Sequence, residues 1–71
     1  MLQYEISVRV FQNRTEYGIV LKENGKPLKH LPQLSEDGDA VCELAALLNE
    51  LAVEPCHFED VVEDYLTDFT I

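Results

Sequence analysis

Polar and apolar residues alternate from Leu2 to Phe11. Leu2, Tyr4, Ile6, Val8 and Val10 share one face, while Gln3, Glu5, Ser7, Arg9 and Phe11 share the other. A period of two predicts a half-buried strand. The polar run Gln12-Asn13-Arg14 predicts a turn, since asparagine tolerates left-handed backbone. A second strand is expected over residues 15–23, with Tyr17, Ile19 and Leu21 on one face and Gly18, Val20 and Lys22 on the other. Gly18 marks a place for a bulge or a close neighbour. Asn24-Gly25 is the strongest hairpin signal in the chain, because a type I′ turn needs positive φ at both positions. A short third strand is expected at 28–31. Pro27 and Pro32 cannot donate to a ladder, so this strand belongs on an edge, which they protect against pairing with another chain.

The period then changes. Val41, Leu44, Ala45, Leu47, Leu48 and Leu51 recur at helical spacing and predict a helix over 35–51. Ser35 or Asp37 can cap it, with Glu36, Asp37 and Asp39 near its positive end. Ala52-Val53-Glu54 leaves room only for a tight connection, and Pro55 suits the first turn of another helix. In that helix Phe58, Val61, Val62, Tyr65, Leu66 and Phe69 form an apolar stripe, and Glu59, Asp60, Glu63, Asp64 and Asp68 an acidic one. The predicted fold is a single α+β domain over residues 1–71, in the order β-β-β-α-α. It is a three-stranded antiparallel meander with two helices packed on one face, against Tyr4, Ile6, Val8, Val10, Ile19 and Leu21. Phe11 and Val20 are left on the outer face.

A chain of 71 residues with 46% apolar content is near the lower end of what folds unaided. Modest stability is expected, and dimerisation would raise it. The net charge of -9 is unevenly placed. Residues 1–34 hold all five basic residues against three acids, whereas residues 35–71 hold eleven acids and no Lys or Arg. Such a surface repels nucleic acid and anionic lipid, so neither is an expected partner. The N-terminal stretch carries Glu5 and Arg9 and alternates, unlike a signal peptide or a membrane span. Two cysteines without a secreted-domain spacing point to thiols in a reducing cytoplasm.

Several segments together resemble the pattern of a small, uncharacterised bacterial family of unknown function. They are Tyr17-Gly18-Ile19, Leu34-Ser35 with Asp37, Leu47-Leu48-Asn49, Pro55 with His57, and Asp60-Val61-Val62-Glu63-Asp64-Tyr65-Leu66. The likeness runs from about Tyr4 to Leu66. That family usually has a serine before the proline that opens the last helix, where this chain has Glu54. The resemblance implies a bacterial cytoplasmic origin and brings no activity, cofactor or catalytic residue.

Cys42, Cys56, His57 and His30 are zinc-ligand types, but they lack a Cys-x-x-Cys or His-x-x-x-His pair, and adjacent Cys56 and His57 would diverge on a helix. Buried or half-buried thiols are the expectation, with no metal or cofactor. Asp37-Gly38-Asp39 with Glu43 does not meet the EF-hand spacing and reads as acids at a helix start. Glu63-Asp64 lacks a polar cleft that would make it an acid-base pair, and Cys56-His57 lacks a third, orienting group. The chain is therefore not expected to be an enzyme.

The acidic stripe Glu59, Asp60, Glu63, Asp64 and Asp68 is the candidate protein-interaction site. Its like-charge i,i+4 pairs cost a few tenths of a kcal/mol each, which fits a surface kept for a partner, with solubility alone as the competing reading. The expected function is a non-catalytic protein-binding or regulatory module that meets a basic partner surface, with a homodimer as a further possibility. One alternative is a DNA-mimicking inhibitor of a nucleic-acid-binding protein. Another is a small metal- or thiol-dependent site at Cys42, Cys56 and His57.

Overall fold

A computed structural model describes residues 1–69, with side chains through Leu66. The elements are β1 (Leu2–Phe11), β2 (Arg14–Glu23), β3 (Lys26–Ser35), α1 (Gly38–Glu50), a 3-10 turn (Pro55–His57) and α2 (Phe58–Phe69). The strands form one antiparallel sheet in the order β1-β2-β3. This is the β-β-β-α-α arrangement that the two periodicities predict.

The first hairpin closes over Gln12-Asn13, with Phe11 opposite Arg14. The left-handed residue there is Gln12 (φ 55), not the asparagine. The second hairpin has φ 52 at Asn24 and 84 at Gly25, the double positive φ of a type I′ turn.

The expectation of a short third strand is corrected. β3 has ten residues and runs through both prolines. It does so by leaving register twice against β2: between the pairs Tyr17↔Ser35 and Ile19↔Leu31, and between Leu21↔Lys29 and Lys22↔Pro27. Bulges absorb the missing proline donors and let the edge strand continue. The first irregularity lies opposite Gly18, as its position in the sequence suggests. A Cβ there would collide with the Leu31 carbonyl oxygen and sit 2.6 Å from Pro32 Cα.

α1 starts later than the pattern predicts because Ser35 is still in β3. Its hydroxyl accepts from the Asp37 N–H at 3.0 Å, and the Asp37 carboxylate then caps the helix by accepting from the N–H groups of Asp39 (3.1 Å) and Ala40 (3.3 Å). The helix ends at Leu51 with Ala52 left-handed at φ 51. The N–H groups of Ala52 and Val53 return to the carbonyls of Asn49 (3.2 Å) and Leu48 (3.1 Å), a Schellman closure with alanine where glycine is usual. Leu51, expected on the apolar face, is the cap and is exposed.

The core joins Tyr4, Ile19 and Leu21 of the sheet to Val41, Leu44, Ala45 and Leu48 of α1, Val53 of the connection, and Phe58 and Val62 of α2. The expected cover over the whole inner face is corrected too. Ile6 is only half-buried, and Val8 and Val10 are 60% and 74% exposed. Helices of 13 and 12 residues are about 20 and 18 Å long, whereas a ten-residue strand spans about 33 Å. The β1–β2 hairpin therefore projects past the helical layer.

Candidate functional site

α2 is placed by its apolar side. Phe58 and Val62 are buried, and Val61, Tyr65 and Leu66 are half-buried against the core. The ring of Phe58 meets that of Tyr4 edge-on, with centroids 4.9 Å apart and planes at 67°. Tyr65 reaches back to α1, where its hydroxyl donates to the Glu43 carboxylate. Partial burial first, then the charges of Glu43 and Asp37, hold that hydroxyl above its usual pKa.

These contacts turn Glu59, Asp60, Glu63 and Asp64 outward, and all four are exposed. Glu59 meets Lys29 of β3 at 2.6 Å, which ties the start of α2 to that edge of the sheet. Asp60, Glu63 and Asp64 have no ion-pair partner among the described residues. The Asp68 side chain lies outside the described residues. Of the acidic stripe, Glu59 is therefore already engaged by a lysine.

The cysteines are free thiols, as expected, but both are exposed and neither is buried or half-buried. The chain enters α2 through a 3-10 turn instead of a straight helical start, and this gathers Cys56 and His57 with Glu54, their ligand atoms all within 4.8 Å of one another. Cys42 and His30 are not in this group. His30 Nε2 lies 3.0 Å from Ser7 Oγ, across Gly18 on the outer face. Glu54 makes no side-chain cap to the turn; its Oε2 is 3.8 Å from the Cys56 thiol as acceptor. Zinc takes thiolate, imidazole and carboxylate ligands at about 2.0–2.3 Å, and these are the three donor types gathered here. Sequence reasoning missed Glu54, because a carboxylate one residue before a proline is no part of a recognised ligand spacing.

The same corner touches the fold's central tyrosine. The Tyr4 hydroxyl donates to the Val53 carbonyl at 2.6 Å, and burial first, then the charge of Cys56, raises its pKa. The Asn49 side chain accepts from the Tyr4 N–H and donates to the Tyr4 carbonyl, both at 2.8 Å. Tyr4 is thereby fixed by α1, by the connection and by α2. Asp37-Gly38-Asp39 serves the start of α1, as read from the sequence.

No pocket is present among the described residues, and no helix there is long and apolar enough to cross a membrane. No curated protein and no solved structure matches the chain. A family model matches residues 1–68, and the chain belongs to that family, a family of unknown function (DUF6514).

Proposed function

We propose that this chain is a non-catalytic protein-binding module whose acidic α2 face docks on a basic surface of a partner protein. The observation that carries this reading is the arrangement of Asp60, Glu63 and Asp64. They are exposed, without an ion-pair partner among the described residues, and set on a helix packed against the core on its other side. They belong to a half of the chain with no Lys or Arg. Charge of one sign on an ordered surface selects partners of the opposite sign and speeds their encounter. The Lys29–Glu59 pair supports the reading, since it is a basic side chain already seated at the edge of this face.

The test is affinity capture from the native lysate by the wild-type chain and by an Asp60→Asn, Glu63→Gln, Asp64→Asn variant. The identified partner is then bound at two salt concentrations. The expected result is a basic partner whose affinity falls at least about tenfold in the neutralised variant and falls with salt. Equal binding by both chains, or binding insensitive to salt, would overturn the reading. A partner that binds nucleic acid and is competitively displaced by it would shift the function to DNA mimicry.

A second reading rests on Glu54, Cys56 and His57 lying within 4.8 Å: a metal- or thiol-dependent role at the start of α2, with Glu54 in the place first given to Cys42. Cobalt titration followed by absorption tests it. A thiolate-to-metal band lost in Cys56→Ser and retained in Cys42→Ser supports the site, and no saturable band removes it.

A further inference from the structure

The two edges of the sheet are built differently. β3 carries Pro27, Pro32 and two register irregularities, which obstruct pairing with another strand. β1 is regular in all ten of its pairs with β2 and has no proline, bulge or lysine.

Asn49 shows which residues of β1 offer their backbone outward. It bonds both the N–H and the C=O of Tyr4, so Tyr4 faces away from β2. In an antiparallel ladder the direction alternates, and Ile6, Val8 and Val10 therefore face the same open side. Among the described residues no hydrogen-bond partner occupies that side beyond Asn49. The side chains of Val8 and Val10 are the exposed apolar residues left by the short helices.

We propose that this edge pairs with the same edge of a second copy of the chain, antiparallel, about a two-fold axis through Val8. Residues facing outward are all even-numbered, so only registers that oppose even to even can form the ladder. With Val8 on the axis, Ile6 meets Val10 of the second copy, Val8 meets Val8, and roughly six hydrogen bonds form. On the inner face these three pairs bring the exposed valines together. On the outer face Ser7 opposes Arg9, and Glu5 lies diagonal to Arg9 of the other copy, an attractive arrangement.

Neighbouring registers are blocked. A slide one way brings Val10 of the second copy to Tyr4, whose backbone Asn49 already holds. A slide the other way sets Arg9 against Arg9, and like charges directly opposite are destabilising. The second strand ends at Phe11, before its Gln12 turn, and so stops opposite Glu5, just short of the Asn49 plug. The acidic α2 is tied to β3, the far edge, by Lys29–Glu59, so the seam forms without bringing the acidic helices together. A second copy suits the edge because the edge is complementary to itself in both backbone and charge. This interface is distinct from the acidic docking face and stands or falls separately.

Sedimentation equilibrium over a wide concentration range tests it, with the wild type, Val8→Lys and Val8→Thr, each checked for an unchanged circular dichroism spectrum. Val8 is mostly exposed, so the lysine variant is compatible with the fold while setting two like charges opposite each other on the axis. The expected result is a reversible wild-type dimer, at least about tenfold weaker in Val8→Lys and retained in Val8→Thr. Amide exchange at Ile6, Val8 and Val10 should slow as the dimer fills. A strict monomer at every concentration overturns the proposal, as does a dimer indifferent to Val8→Lys or one that leaves those three amides unprotected.

Discussion

The side-chain amide of Asn49 and the backbone of Tyr4 form a closed pair of hydrogen bonds, each 2.8 Å long, between the last turn of α1 and the open edge of β1. One side chain thus does what a neighbouring strand would do for a single residue, and it joins the two layers at Tyr4, a buried member of the core. Removing it leaves a partly buried donor and acceptor without partners. Asn49→Ala is expected to destabilise the fold by about 2 kcal/mol, read from urea denaturation, with faster exchange of the Tyr4 amide. Asn49→Asp keeps the acceptor but loses the donor, so the Tyr4 carbonyl stays unpaired and recovery should be partial at best.

Gly18 is held by space. A methyl group there would meet the backbone of Leu31 and Pro32, and backbone in a bulged edge cannot swing away as a side-chain tip can. Gly18→Ala should cost about 3 kcal/mol or more, measured by thermal or urea unfolding.

At the end of α1 the sign reverses. Ala52 is left-handed at φ 51, a conformation that costs a residue with a Cβ about 1 kcal/mol relative to glycine. Ala52→Gly is expected to stabilise the chain by an amount up to about 1 kcal/mol, offset in part by the greater freedom of glycine in the unfolded chain. An unchanged or lower urea midpoint would contradict the role given to this cap.

Lys29 and Glu59 are both partly exposed, with side chains 41% and 57% accessible. Exposed pairs contribute about 0.2–1 kcal/mol, so Lys29→Ala should lower stability only slightly, and the difference should vanish in high salt. If Lys29 occupies part of the acidic docking face, the same variant should bind a basic partner more tightly.

Tyr4 and Tyr65 both have pKa values raised above the ordinary 10.0, by burial first in each case. In the folded state each keeps its proton at a pH where the unfolded chain has released it. Their contribution is fully present below about pH 10 and is lost as pH rises through the folded values. Urea midpoints should therefore fall from about pH 10 upward. Tyr65→Phe should flatten that fall; a fall of the same steepness in both Tyr65→Phe and Tyr4→Phe would assign it to other groups.

What the sequence determined by itself is what depends on near neighbours. Strict alternation from Leu2 to Phe11 set β1 and its faces. Asn24-Gly25 set the second hairpin, the spacing from Val41 to Leu48 the buried face of α1, and the spacing from Phe58 to Leu66 both the buried and the acidic sides of α2. Each of these follows from local backbone geometry and a short period. The tertiary structure decided matters that compare distant parts of the chain. Val8 and Val10 have the same periodicity as Tyr4, yet they are exposed, because periodicity tells which face is apolar and not how far a shorter helix can cover it. The ten-residue run of β3 through its prolines depended on bulges that only its pairing with β2 reveals. Asn49 reads as an ordinary polar residue in the last turn of a helix, and 45 residues separate it from the strand edge that it closes. Glu54, Cys56 and His57 converge because Pro55 opens a 3-10 turn. The cover of the sheet, the one plugged point on its open edge and the corner at the start of α2 are all meetings of separate elements, and packing alone fixes such meetings.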